Sequence, residues 1–315
     1  MFWVILLYAL FASLFGLTKV ALNYSEPFFL IGSRFAFAGL LLLAHQFIWN
    51  RKAFSNFKVE HLKPLCLLGF LSIYLTNVAE VWGIQNMVSA KACLIYSLSP
   101  FIAALIAYFV LNEVLTKKKW LGLIIGFFGL IPIFMSQSPV EKLAGSLTFL
   151  SFAEIAVLIA TVSSVYGWIL LKKLINEFRY TPLMANGFAM TLGGSLALLH
   201  SYFSGESWNP IPVNDFLPFV HYALWMCLIS NIICYNLYGY LLKRYTATFM
   251  SFAGLVTPLF ASLFSWAFLN ETITWHYFAS LVIFSIGLTI FYQAELKREK
   301  MLAEARHSSP SPLEV

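Results

Sequence analysis

The sequence predicts an all-α membrane protein of ten transmembrane helices, arranged as two inverted five-helix repeats with the N- and C-termini cytoplasmic. Three observations predict it. Hydrophobic residues make up 60% of the 315 positions and charged residues 11%, a composition suited to lipid rather than water. Apolar runs near the roughly 20 residues that cross a bilayer occur ten times. A segment of the fourth and fifth runs, 99–130, returns at 257–288 without a gap.

The first run, 2–22, follows Met1-Phe2-Trp3 without a basic leader region and is too long and uninterrupted for a cleaved signal, so it reads as a helix. Pro27 opens the second, 27–49. The third and fourth, 62–84 and 88–111, are joined only through Gly83–Met87, which makes them a tight hairpin. The fifth is 118–136, the sixth 147–170, the seventh 181–202, the eighth 216–241, the ninth 246–268 and the tenth 275–294. Two units follow, 1–137 and 147–294, each holding five helices. Residues 295–315 start charged and helix-prone and finish as His307-Ser308-Ser309-Pro310-Ser311-Pro312, a composition that cannot bury itself, so a disordered cytoplasmic tail is expected.

Charge sets the orientation, because short cytoplasmic loops collect Lys and Arg. With the N-terminus inside, sixteen of the twenty basic residues fall in cytoplasmic loops or the tail. The far side receives Lys19, Lys91 and Lys142, and Arg34 falls within the second span. The net charge of +6 is accounted for by loops that meet anionic lipid, so nucleic acid is not an expected partner. The lipid bilayer and a small molecule are.

The repeat runs at a constant shift of 158: Pro100 matches Pro258, and Leu111-Asn112-Glu113 matches Leu269-Asn270-Glu271. An odd number of helices per half turns the second copy upside down. Its sidedness signals change accordingly: Lys117, Lys118 and Lys119 follow the first copy, whereas Trp275, His276 and Tyr277 follow the second. Inverted repeats that rock about a central site characterise secondary transporters. No phosphate-binding G-x-x-x-x-G-K-[ST] loop occurs, so ATP hydrolysis by this chain is not expected.

The prolines Pro100 and Pro258, the Asn112-Glu113 and Asn270-Glu271 pairs, and the glycines of the following helices resemble the drug/metabolite transporter superfamily, EamA type, over both halves. Pro27 with Arg34 fits that pattern, while the seventh helix has Pro182 and no arginine. The resemblance implies a secondary transporter in the bacterial inner (plasma) membrane, multi-pass and not an enzyme, that moves a small organic metabolite by alternating access. Within it the chain looks like the branch that takes up S-adenosylmethionine in exchange for S-adenosylhomocysteine. It also looks like members that export amino acids or metabolites, driven by protons. A polytopic membrane enzyme is a remote alternative, since no acid, base or nucleophile cluster gathers at one face.

Charged residues within spans mark functional candidates. Arg34 reads as a helix-packing arginine or a carboxylate contact. Glu80 could pair with Lys91 or face a cavity, and Glu154, with no basic neighbour in sequence, could be protonated, pair with Arg34 or meet the cavity. Lys19 reads as an interfacial anchor. Glu113 and Glu271, at twin helix ends, are expected to accept hydrogen bonds from the start of the next helix, a structural or gating role shared with Arg34, Pro100 and Pro258. Each proline removes a backbone hydrogen bond within a span, which a cavity or neighbour must compensate.

Under the shift of 158, Asn77 and Glu80 match Tyr235 and Tyr238 at i, i+3 spacing. With Tyr74, Trp82, Tyr96, Glu154, Tyr166, Trp168 and Asn236, they are the candidate substrate-binding set. The competing reading for many of them is interhelical hydrogen bonding and packing. An aromatic cavity with a few acids would suit a planar ring and a positive centre. The six histidines lack ligand spacing and the cysteines Cys66, Cys93, Cys227 and Cys234 sit within spans, so no metal, cofactor or disulfide framework is expected. The oligomeric state is left open, with a monomer among the options.

Overall fold

A computed structural model describes residues 2–308, apart from 111–114, 137, 148–149, 243–249, 251–252, 255 and 270. The described residues are mostly helical. α1 is Phe2–Ala21 and α2 is Pro27–Trp49. α3 is the continuous helix Val59–Asn86, and the fourth run is split into α4, Ser89–Tyr96, and α5, Ser99–Val110. α6 is Lys117–Phe128 and α7 Ile131–Met135. A short helix, α8 (Pro139–Ala144), and a two-residue hairpin pairing Ser146 with Ser151 connect the halves. The second half holds α9, Phe152–Asn176, α10, Pro182–Phe203, α11, Phe216–Leu241, α12, Val256–Leu269, and α13, Trp275–Ser308.

Among the described residues nine helices are long and apolar enough to cross a membrane, and Val256–Leu269 is a tenth, shorter apolar helix. The boundaries differ from expectation in instructive places. The sixth run starts at Phe152 rather than 147, because Ser151 caps it and the hairpin occupies the residues before. The last helix does not stop at the apolar boundary. It continues to Ser308, through Ala, Glu, Lys, Arg, Leu and Met residues that all favour helix. Residues 309–315 lie outside the described set.

The closest helix pairs join one half of the chain to the other: α2 with α10, α6 with α13, α1 with α12 and α3 with α9. Lipid supplies no hydrophobic force between helices, so association rests on close backbone packing through small residues. A Cβ on Gly194 of α10 would lie 2.3 Å from the Ala36 nitrogen of α2, and one on Gly287 of α13 would lie 2.4 Å from the Gly126 nitrogen of α6. Neither position tolerates a side chain.

Two departures from α geometry shape the interior. α3 is a π-helix over Gly69–Leu75 and α11 is a π-helix over Cys227–Cys234. The two begin 158 residues apart, the spacing of the sequence repeat. Such π segments leave backbone groups free of regular pairing and recur at functional sites. Both prolines sit in the first turn of a helix rather than within one, where the missing amide removes no intrahelical hydrogen bond, contrary to the expected loss. Pro100 lies in the first turn of α5, after a break at Ser97 and Leu98, where the Phe101 and Ile102 amides both donate to the Leu98 carbonyl at 2.9 and 3.0 Å. Pro258 lies in the first turn of α12, and its carbonyl accepts a 2.5 Å hydrogen bond from the Tyr277 hydroxyl.

Candidate functional site

A cavity lies between the halves, walled by α1, α2, α3, α4, α5, α9 and α11, with Thr257 of α12 at its edge. It extends from Thr18 and Glu80 at one end to Lys172 and Leu242 at the other. One wall is aromatic. Trp168 of α9 stacks on Tyr238 of α11 with ring centres 4.1 Å apart, and Tyr235 sits 5.3 Å from Trp168 and 5.9 Å from Phe35. Tyr96, at the end of α4, packs edge-on against Phe15 of α1 and interacts with Ser164. Tyr8 lines the same wall and donates to the Met250 carbonyl at 2.5 Å.

The facing wall is charged and polar. Asn77 follows the π segment of α3, with its amide nitrogen donating to the Ile73 carbonyl at 2.7 Å, so the irregular turn and the side chain satisfy one another. Arg34 is 6% exposed. Its Nη2 lies 3.5 Å from Asn77 Oδ1, its guanidinium is 4.7 Å from the Phe35 ring centre, and its Nε has no hydrogen-bond partner. Glu80, one turn from Asn77, lines the cavity close enough to Arg34 for mutual electrostatic influence.

Asn77, Glu80, Tyr96, Trp168, Tyr235, Tyr238 and Arg34 are thus brought together. Trp82, Tyr166, Tyr74, Asn236 and Glu154 are not. Trp82 and Tyr166 each lie two residues, about 200° of helical rotation, from Glu80 and Trp168, so they face away from the cavity. Tyr74 instead places its hydroxyl 3.0 Å from His200 Nδ1. Asn236 accepts from Asn186 Nδ2 at 3.0 Å and donates to the Ile232 carbonyl at 2.9 Å, holding α10 to α11.

Glu154 has the most complete structural occupation. It is the third residue of α9 and forms a reciprocal cap with Ser151: the Ser151 amide donates to Oε2 at 2.6 Å and the Glu154 amide donates to Ser151 Oγ at 3.1 Å. Its other oxygen lies 2.6 Å from Lys91 Nζ. Lys91 also reaches Glu141 at 2.6 Å, and Glu141 caps α8 with Ser138 in the same way. Lys91 therefore pairs with these two carboxylates and not with Glu80. A carboxylate at a helix N-terminus is favoured by the dipole and by free amides, and one buried cation offsets both.

Glu271 also caps a helix, though not the next one. Its carboxylate accepts from the Ser89 amide at 3.1 Å, at the start of α4 in the opposite half, and pairs with Lys19 Nζ at 2.6 Å. Lys19, expected as an anchor, additionally donates to the Met87 carbonyl at 2.8 Å. The contact joins α1, α4 and the α12–α13 connection. Glu113, the repeat partner of Glu271, lies outside the described residues.

Sequence reasoning missed several lining residues. Tyr8, Phe11, Phe15 and Thr18 form one face of α1 at i, i+3, i+7 and i+10, a pattern visible in the sequence but indistinguishable there from a packing stripe. Ser230 and Thr257 also line the cavity. Among the described residues no group of three or more His, Cys, Asp and Glu side chains could hold a metal.

The sequence model of the EamA-like transporter family matches residues 1–135 and 151–293. A protein of Chlamydia muridarum named S-adenosylmethionine/S-adenosylhomocysteine transporter is 35% identical over 295 residues, covering 93% of this chain and 92% of its own. Its namesake in Chlamydia trachomatis serovar L2 is also 35% identical, over 93% of this chain and 89% of its own. An inner membrane transporter of Escherichia coli called YedA, described as uncharacterized, is 24% identical over 85% of this chain and 82% of its own. A solved structure superposes over 98% of this chain and 97% of its own with a TM-score of 0.64 at 14% identity, a likeness of fold. With its apolar helices packed around an internal cavity, the chain belongs to the EamA-like transporter family and is a multi-pass transporter of the bacterial inner membrane.

Proposed function

We propose that the chain takes up S-adenosylmethionine in exchange for S-adenosylhomocysteine by alternating access. The observation that carries this reading is the cavity between the halves, which offers stacked aromatic rings and one acid to relatives' named cargo: an adenine ring and a sulfonium. Trp168 and Tyr238 present π-faces suited to a planar base, a sulfonium gains from aromatic faces, and the Glu80 carboxylate attracts a positively charged cargo. A second reading, proton-driven export of an amino acid, draws on the same Glu80, an acid that lines the cavity.

The proposed cycle uses two inverted five-helix halves, 1–137 and 147–294, with both termini cytoplasmic. On that orientation Lys19, Ser89 and Glu271 lie on the outer side and Lys172 on the inner. The Lys19–Glu271–Ser89 contact bridges the halves and holds the outer side shut. Opening to that side requires the contact to break, and a partly exposed pair of this kind costs only about 0.2–1 kcal/mol to separate, which suits a latch that must cycle. Lys91 with Glu141 and Glu154 stays intact as an anchor, because separating a buried pair costs about 3–5 kcal/mol.

Uptake of labelled S-adenosylmethionine into cells expressing the chain tests this, with and without preloaded S-adenosylhomocysteine. Saturable uptake accelerated by the preload is expected. Absence of uptake in cells that hold the protein in the membrane would overturn the exchange reading and favour amino-acid export.

A further inference from the structure

We propose that Arg34 is the anchor for a carboxylate of the cargo, so that the transporter recognises the amino-acid end of its substrate as a zwitterion, with Glu80 taking the ammonium group. The choice of S-adenosyl cargo rests on the exchange reading above; the chemistry of the anchor does not.

Guanidinium groups carry five donors in a rigid fork that matches a carboxylate. Burying one inside a membrane protein is costly unless it is paired. Packing arginines therefore end on backbone carbonyls or acids, whereas Arg34 reaches only the Asn77 side-chain amide oxygen among the described residues. Its contact with Asn77 is long at 3.5 Å, Phe35 offers only a ring at 4.7 Å, and Nε is buried with no partner. Its electrostatic partner in the cavity, Glu80, forms no direct ion pair with it among the described residues. Two opposite charges thus share one cavity without neutralising each other. That arrangement is complementary to an α-amino acid group, whose carboxylate and ammonium are held a fixed short distance apart. The stacked pair Trp168 and Tyr238 lies beside Tyr235, which itself packs on Phe35 next to Arg34, so a flat ring tethered to the amino-acid group has an adjacent platform. Both members of the proposed exchange pair carry the same amino-acid end, so one anchor serves both directions. Lys172 also lines the cavity, at its far end and partly exposed to solvent.

The test is selectivity, which a merely structural arginine would not alter. Uptake of labelled S-adenosylmethionine is competed with S-adenosylhomocysteine and with 5′-methylthioadenosine, which keeps the adenosine and thioether but lacks the amino-acid group. The unaltered protein should prefer S-adenosylhomocysteine by about 10- to 100-fold, the usual range for hydrogen bonds to a charged group. In Arg34→Gln, or in Arg34→Met if the first does not reach the membrane, that preference should fall to near one. Equal competition in the unaltered protein, or an unchanged preference in a variant present in the membrane, would overturn the proposal. If the unaltered protein takes up no S-adenosylmethionine, the exchange reading fails and the anchor is tested separately, by thermal stabilisation of the purified full chain. L-Phenylalanine should then stabilise it where phenethylamine does not, and Arg34→Gln should abolish the difference. Equal stabilisation by both, or by neither, would sink the anchor as well.

Discussion

The third and eighth spans share a backbone and differ in chemistry. Both turn into a π-helix at positions 158 apart, and both then return to α geometry. After the π segment α3 presents Asn77 and Glu80 to the cavity, whereas α11 presents Tyr235 and Tyr238 at the matching positions. The opposed charges of Glu80 and Arg34 lie in one half, and the stacked pair of Trp168 and Tyr238 lies in the other. The scaffold can therefore be near-symmetric, as the proposed rocking would require, while the site pairs a charged surface with an aromatic one, as the proposed asymmetric cargo would require.

The comparison separates framework from site, and variants can break or sharpen it. Lys91→Met should have the largest effect. It leaves the Glu141 and Glu154 carboxylates buried at 1% and 0% side-chain exposure without their cation, and should cost about 3–5 kcal/mol of stability, read as a fall in the melting temperature of the purified protein. Selectivity among competitors in whatever protein survives should be unchanged; a shifted preference would place Lys91 in the site. Glu80→Gln should instead leave membrane abundance normal and raise the apparent KM for uptake by about 10- to 100-fold, from the loss of one charge-assisted contact. Its repeat-matched counterpart, Tyr238→Phe, keeps the ring that stacks on Trp168 and removes only the hydroxyl. A change of no more than about tenfold is expected; parity with Glu80→Gln would mean that the two ends are not chemically distinct. Lys19→Met should have the smallest effect, about 0.2–1 kcal/mol, seen as increased labelling from outside of a cysteine placed at Thr18. No increase would remove the Lys19–Glu271 pair from any latching role.

Much of the framework could be read in advance from apolar length and from the sequence repeat. Apolar length exposed the spans, and the shift of 158 linked Pro100 with Pro258 and Asn77 and Glu80 with Tyr235 and Tyr238. The π segments were not legible, since no residue type marks where a helix takes an extra residue in one turn. Glu154 was read as a cavity group because its cation, Lys91, is distant in sequence. The local signal for its real task was nevertheless present, as Ser151-Phe152-Ala153-Glu154 has the spacing of a reciprocal helix cap, and Ser138-Pro139-Val140-Glu141 repeats it. Trp82 and Tyr166 were grouped with their neighbours by proximity along the chain, although helical rotation turns them to the other side. Tyr74 and Asn236 found partners, His200 and Asn186, on helices whose adjacency no local pattern discloses.

The opposed charges of Arg34 and Glu80 have a consequence for energy coupling. Arg34 and Glu80 together add no net charge, so under the proposed cycle they leave the cargo's own charge uncompensated as the site opens to one side of the membrane and then the other. S-adenosylmethionine carries a sulfonium that S-adenosylhomocysteine lacks, so under the proposed exchange each turnover transfers one positive charge inward. An interior-negative voltage supplies about 2.3 kcal/mol per charge for every 100 mV, about a fiftyfold bias toward accumulation. The same exchange would then be drawn by the membrane potential as well as by the cargo gradients, with no separate coupling ion.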